Sequence, residues 1–458
     1  MLTDTIAAIA TPPGSGALSV LRVSGPEALR TAQAVLRPAG TLPPRRAVVA
    51  AARDRDGPLD RVVAVFHPGP RSATGEDLVE LTCHGSPYIQ GRMLAALLEA
   101  GARTARPGEF TQRAFLNGRL DLAQAEAVCD LIRAGTGLAH RAALEQLEGG
   151  LSRAVAGLRR PILELLVRLE ALLDHPEEDL PPWPAEESEA QLAGLAEPVA
   201  RLADTFRSGR ILRDGVRICI VGRTNAGKSS LLNALLGCER AIVCVEPGTT
   251  RDTIEEPCDL GGLPALLVDT AGLGHPSRGA ADAESLRRTE RALAASDLAL
   301  LVVDGSRPPT PEDEAAQLRV GAASAAAGRP VITVFNKADL PAQARPDPGA
   351  GEACSVSALT GAGLDELRRL VLKRLSPDAG TPAEGGATVT AQRHHQALRR
   401  CAAQLREAAG AVRRQPGRWE ELAARHLREA LDALDEITGP AAPDEVLAGI
   451  FSRFCVGK

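Results

Sequence analysis

One short stretch restricts the folding options of this chain more than any other. The apolar run Val216 to Val221 leads directly into Gly222-Arg-Thr-Asn-Ala-Gly227-Lys228-Ser229, which matches GxxxxGK[ST] and opens a helix expected to end near Gly237. A buried strand, a glycine-rich loop and a helix in that order belong to a parallel α/β sheet. Backbone N–H groups of such a loop can curl around a β-phosphate while the helix N-terminus adds its positive end. Lys228 can reach β and γ oxygens, and the Ser229 hydroxyl can ligate Mg²⁺. Asn225, Ala226, Gly227, Lys228, Ser229 and Ser230 are therefore the candidate phosphate-binding residues. By itself the loop does not separate ATP from GTP.

Further motifs follow at expected strand ends. Asp269-Thr270-Ala271-Gly272 closes the apolar run Leu266 to Val268, where a carboxylate can hold Mg²⁺ through water and the Gly272 N–H can meet a γ-phosphate. Asn336-Lys337-Ala338-Asp339 follows Val331 to Phe335. The Asp339 carboxylate can accept two N–H bonds from a guanine edge, which adenine cannot supply, with Asn336 and Lys337 bracing the base and the phosphate loop. Ser357-Ala358-Leu359, after Cys354 to Val356, can offer a backbone N–H to the guanine O6. Buried polar groups left unpaired by a wrong base allow discrimination of ~10⁴ or more. The ordered set predicts GTP. Thr249-Thr250-Arg251-Asp252 lies between the first and second strands, where a loop must offer a hydroxyl to Mg²⁺, and Thr250 is the choice. Leu273 follows Gly272 in place of a water-orienting Gln, so hydrolysis needs another arrangement.

The 458 residues suggest roughly three domains at about 150 residues each. Residues 1–118 read as mixed α/β, with strand-like runs at Ala17 to Val23, Arg61 to Phe66 and Val79 to Cys83. Residues 119–213 carry apolar side chains at helical spacing, interrupted by an expected loop at Pro176 to Glu187. Residues 214–376 alternate strands and helices, and 377–458 return to helices after a Gly/Pro-rich link. The simplest architecture inserts the α/β domain into a helical domain built from both flanks. Lys+Arg 53 against Asp+Glu 58 give a net charge of −5, so any RNA contact must come from local patches. Neither a membrane span nor a signal peptide is evident, which predicts a cytoplasmic protein. The 9 Cys never form CxxC, as expected of small core residues in a reducing compartment. Only 4 Lys and 4 Asn survive in a composition shifted toward Arg, so Lys228, Lys337, Lys458, Asn225 and Asn336 stand out as retained for their geometry.

Long strings resemble one family along essentially the whole chain. They are Asp4 to Gly14 (DTIAAIATPPG), Ala105 to Asn117 (ARPGEFTQRAFLN), Asp121 to Ala127 (DLAQAEA), Glu246 to Asp252 (EPGTTRD) and the terminal Phe451 to Lys458 (FSRFCVGK). The chain resembles the tRNA uridine-5-carboxymethylaminomethyl modification GTPases, a potassium-activated family. The resemblance implies an N-terminal α+β folate-binding and dimerisation domain, a helical domain in two segments and an inserted Ras-like P-loop GTPase domain with a mostly parallel sheet. It implies that Asn225 ligates K⁺, with carbonyls near Cys244, Glu246 and Thr249 completing the shell, and that Val245, Pro247 and Gly248 share that switch segment. It also implies that Arg22, Glu80, Arg119 and Lys458 bind 5-formyl- or 5,10-methylene-tetrahydrofolate, Arg119 replacing a commoner Lys. Glu284 stands nearest the family's catalytic Glu, although its spacing to Glu290 is off by one and Gly274 stands where Arg is usual. Cys455 is a catalytic candidate, with packing as the alternative. The implied partners are tRNA, a second copy of the chain and a flavin-dependent protein in a heterotetramer.

Three functions compete on this footing. The first is GTP-driven transfer of a folate-borne one-carbon unit to C5 of a wobble uridine, giving a carboxymethylaminomethyl group. The second is a GTP-controlled ribosome-assembly switch, against which the amphipathic helices of 380–458 offer no GxxG-type RNA clamp. The third is a folate-dependent aminomethyl transferase with GTP as effector.

Overall fold

The structure, a computed structural model, describes residues 4–37, 42–174, 183–238, 254–269, 280–343, 352–375, 387–439, 443–452 and 454–458. Two compact units are present: Met1–Cys129 with Leu431–Lys458, and Asp130–Ala430.

The first unit is built on strands β1 (Ile6–Ile9), β2 (Leu18–Ser24), β3 (Leu36–Arg37), β4 (Val48–Asp54), β5 (Gly57–His67), β6 (Leu78–His84) and β7 (Arg103–Thr104). They pair in the order β3-β4-β5-β6-β2-β1-β7, antiparallel except for β1 with β7. The three strand runs read from the sequence coincide with β2, β5 and β6, the first beginning one residue before its strand. Alternation assigns the faces. Leu21, Val23, Ala64 and Leu81 point toward Met93 and Leu97 of the helix Pro87–Glu99. On the other face Ile6, Ala8 and Leu78 pack with Ala105 and Phe110. Farther along that face Val49, Val63 and Leu18 are exposed.

The chain end returns to this unit. The helix Asp444–Phe451 brings Leu447, Phe451 and Phe454 against Leu122 and Ala125. Val456 bridges Pro107, and Gly457 lies so close to β1 that a Cβ there would sit 2.3 Å from the Ile9 carbonyl oxygen. The spacing of Ile450, Phe451 and Phe454 predicts this pinned end.

In the second unit β8 (Val216–Gly222), β9 (Ile254–Leu260), β10 (Leu263–Asp269), β11 (Leu298–Asp304), β12 (Val331–Asn336) and β13 (Ala353–Ser355) form a sheet ordered β13-β12-β11-β8-β10-β9. All neighbours are parallel except β9, which turns back on β10 as an edge hairpin. Ile218, Cys219, Ile220 and Val221 are buried without interruption, as a central strand covered by helices on both faces requires. The remaining helices include Gly150–Asp174, Ala185–Asp204 and Gln392–Arg414, the last packing along Ala185–Asp204. Helix Ala185–Asp204 begins inside the expected loop. Its first-turn acids Glu186 and Glu187, read from sequence as loop residues, complement the positive end of the helix. No helix among the described residues is long and apolar enough to cross a membrane.

Candidate functional site

The phosphate loop starts where β8 ends between β10 and β11, the centre of the parallel sheet. Asn225 is left-handed (φ 67°) and Gly227 also has positive φ (92°), so successive N–H groups turn toward the start of helix Lys228–Cys238. Lys228 is only 8% exposed, and its Nζ donates to the Arg223 carbonyl at 3.1 Å. Burial lowers its pKa, against the opposing pull of Asp269. An ammonium held under such desolvation gains from an incoming polyphosphate. Ser229 Oγ donates to Asp269 Oδ2 at 2.9 Å, while Asp269 Oδ1 is buried with no hydrogen-bond partner among the described residues. A hydroxyl and a half-satisfied carboxylate suit a hard cation such as Mg²⁺. Among the described residues no group of three or more His, Cys, Asp or Glu is placed to hold a metal ion.

The base-side motifs converge on the same end of the sheet. Asn336 is 2% exposed; its Nδ2 donates to the Ala226 and Gly227 carbonyls at 3.1 and 3.4 Å. Its Oδ1 accepts the Ala358 N–H at 3.1 Å. Ala338 N–H is bonded to the Val356 carbonyl, and Ser357 Oγ donates to Asp339 Oδ1 at 2.6 Å. Leu359 is 85% exposed. Lys337 Nζ donates to Asp304 Oδ2 at 2.6 Å. Sequence reasoning passed over Asp304, although an acid ending an apolar strand was the signal that singled out Asp269.

Cys244, Val245, Glu246, Pro247, Gly248, Thr249, Thr250, Thr270, Ala271 and Gly272 lie outside the described residues, as does Leu273. Glu284 falls in the helix Ala280–Ala295.

A second cluster lies in the first unit. Arg22 on β2 and Glu80 on β6 are direct cross-strand partners, with Nε donating to Oε1 at 2.9 Å. His67 Nε2 is 3.8 Å from Glu80 Oε2. Half-buried Lys458 feels the same groups. Burial and then Arg22 lower its pKa, whereas Cys455 and Glu80 raise it. Arg119 is exposed, with its stem near the Gly75 turn. Cys455 is exposed, whereas Cys83, Cys219, Cys258, Cys354 and Cys401 are buried. Burial pushes the Cys219 and Cys401 thiols up to about 12, and Cys354 to about 11, so these are inert core residues.

The strand, phosphate loop and helix at the centre of a mostly parallel sheet define a P-loop nucleotide-binding protein. Residues 5–119 match the family model "GTP-binding protein TrmE N-terminus", and 122–455 match "MnmE helical domain". A curated tRNA modification GTPase MnmE from Heliobacterium modesticaldum is 43% identical over 483 aligned residues, with 100% of both chains covered. Its counterpart from Chloroflexus aurantiacus is 45% identical over 466, again with 100% of both covered. The chain belongs to the MnmE family of tRNA modification GTPases, and is a GTP hydrolase taking part in tRNA modification. Likeness to a solved structure of Aquifex aeolicus Era is 27% in sequence over 41% of this chain and 66% of that one, with a TM-score of 0.29, and the assignment does not rest on it.

Proposed function

We propose that this GTPase adds a carboxymethylaminomethyl group at C5 of the wobble uridine of certain tRNAs, acting in the cytoplasm with a flavin-dependent partner and a folate one-carbon donor. The observation that carries this reading is the Arg22–Glu80 ion pair in the first unit, with the Lys458 ammonium within electrostatic reach of both. A carboxylate paired with one cation and in electrostatic reach of a second suits a ligand with adjacent N–H donors and anionic ends, which is the chemistry of a reduced folate. When bound, the folate supplies the carbon that is transferred; Glu80 and Arg22 orient it, and Lys458 offsets its negative charge. Arg119 and Cys455 complete the candidate set.

In the second unit the proposed roles are those of a guanine-nucleotide site. Asp339, fixed by Ser357, reads the base, Asn336 joins base side to phosphate side, and Lys228 meets the β and γ oxygens. Ser229 and Asp269 would hold Mg²⁺, which neutralises phosphate charge, and Asn225 would hold K⁺ beside it. The exposed Val49, Val63 and Leu18 on the open sheet face support a homodimer through the first unit. Residues 1–118 would serve folate binding and dimerisation, 119–213 and 377–458 would form the helical domain, and 214–376 would bind GTP.

Nucleoside analysis of tRNA from a strain lacking the protein tests the reading. Loss of the C5-modified wobble uridine, restored by the intact chain and not by Glu80→Ala, is the expected result. Unchanged wobble nucleosides would refute it and favour a ribosome-assembly role.

A further inference from the structure

The stretch from Asp304 to Asp313 belongs to none of the guanine-nucleotide motifs, yet it holds residues of two of them. Asp304 ends β11 with a side chain only 4% exposed. Its Oδ2 meets Lys337 Nζ at 2.6 Å, and its Oδ1 accepts the Ser306 N–H and hydroxyl at 3.0 and 2.6 Å. Burial opposes the ionised carboxylate, but Lys337 and Ser306 outweigh it and hold its pKa below the usual value. The backbone is joined to the same loop. Gly305 N–H donates to the Asn336 carbonyl at 2.8 Å, and Gln343 N–H donates to the Gly305 carbonyl at 2.9 Å.

The far end of the stretch reaches the phosphate loop. Arg223 Nη1 donates to Thr310 Oγ1 at 3.3 Å, and Arg223 Nε lies 3.6 Å from Asp313 Oδ1. Thr310 and Asp313 are themselves fixed by a reciprocal capping box at the start of helix Pro311–Ala327. Neither hold resembles an exposed ion pair of negligible value, because Asp304 is nearly buried and the Arg223 side chain is only 17% exposed.

We propose that Asp304–Asp313 is a positioning element of the GTP site, Asp304 setting Lys337 on the base side and the capped Thr310–Asp313 turn setting Arg223 on the phosphate side. The long flexible side chains of Lys337 and Arg223 are thereby ordered before nucleotide arrives, so the cost of ordering them is not charged against binding. The proposal rests on the assignment of GTP to these motifs.

Double-mutant cycles on the full-length chain, read with a fluorescent GTP analogue and paired with thermal unfolding, test it. Asp304→Asn, which preserves shape, and Lys337→Ala should each weaken binding about tenfold or more, the scale of a lost hydrogen bond to a charged group. The double variant should bind no worse than Lys337→Ala alone. Arg223→Ala and Asp313→Ala should be coupled in the same way. Losses that multiply in the double variants would overturn the proposal, as would unchanged affinity in Asp304→Asn, whether or not its unfolding temperature falls. Asp339→Asn in the same assay tests the site assignment separately, since it should lose GTP whatever Asp304 does.

Discussion

Asn336 at the end of β12 and Ala226 in the phosphate loop are joined by a 3.1 Å hydrogen bond across 110 residues of chain. The approach is possible because residue 227 is glycine; a Cβ there would lie 2.2 Å from Asn336 Nδ2. Through its Oδ1 the same side chain also takes the Lys337 and Ala358 N–H groups at 2.8 and 3.1 Å. One amide therefore ties the base loop, the phosphate loop and the Ser357 loop together.

Asn336→Ala is expected to weaken GTP binding by about 10- to 100-fold, because each buried polar group left without its partner costs about 1–3 kcal/mol. A fluorescent-nucleotide titration giving the unmutated affinity would show that the three loops are held by other means.

Asp339→Asn should move preference from guanosine to xanthosine triphosphate. The amide presents an N–H where xanthine offers a carbonyl, and Ser357 Oγ, 2.6 Å from Oδ1, fixes the side chain for either base. Competition between the two nucleotides measures the switch. Retained GTP preference would mean that another group reads the base.

The nucleotide site was legible because its residues sit in short contiguous strings, each at the end of an apolar run. β2, β5 and β6 were legible for the same reason. β4 was not, since VVAAARD replaces most β-branched residues with Ala and weakens the strand signal. The start of helix Ala185–Asp204 was hidden behind prolines and acids that suit a loop or a helix N-terminus equally. Asp304 with Lys337, and Arg113 with Asp4, are pairs distant in sequence. Their significance lies in burial, which no local spacing reports.

Hydrolysis should be much faster in K⁺ than in Na⁺. Leu273 cannot orient water as Gln does, and a cation at the transferring phosphate can contribute on the order of 10³ in rate, by analogy with arginine fingers. Asn225, held left-handed in the phosphate loop, is the described side chain proposed to ligate the ion, so Asn225→Ala should remove most of the difference. Equal phosphate release by the unmutated protein in the two salts would defeat the idea.

Acid should loosen the first unit through Glu109. Its burial favours the neutral form, but hydrogen bonds from Arg103, the Arg106 N–H and Arg113 prevail and hold its pKa at about 2. Arg113, itself 0% exposed, also pairs with Asp4 at 2.8 Å and Glu76 at 3.1 Å. A depressed carboxylate stabilises the fold fully above its unfolded value of about 4.3, and that contribution disappears as pH falls toward the folded value. The Glu109 share is roughly 3 kcal/mol, lost between about pH 5 and pH 2. Glu109→Gln should cost about 3–5 kcal/mol near neutrality and flatten this part of the profile, because it leaves buried guanidinium charge uncompensated. Denaturant unfolding at a series of pH values checks it. Parallel curves for the two proteins would exclude Glu109 as the acid-sensitive group.

Deleting Cys455 to Lys458 should abolish tRNA modification while leaving GTP binding intact. The ordinary expectation for a chain end is fraying and a solvated lysine. Here the Gly108 N–H donates to the Cys455 carbonyl at 3.4 Å and the Phe110 N–H to the Lys458 carbonyl at 3.2 Å. Gly457, at φ 94°, presses against Ile9, so the last residues are held as part of the first unit. The half-buried Lys458 is thereby brought within electrostatic reach of Arg22 and Glu80, whereas the proposed nucleotide residues belong to the second unit. Lys458→Ala keeps the backbone contacts and removes only the ammonium, which separates loss of charge from loss of packing. It should lower modification strongly with little change in unfolding temperature. Nucleoside analysis of tRNA in a complemented deletion strain, beside a fluorescent-GTP titration of the same proteins, reads both effects. If the truncated chain still restored the modified wobble uridine, the terminal segment would have no part in the chemistry and Lys458 would have to be removed from the proposed folate site.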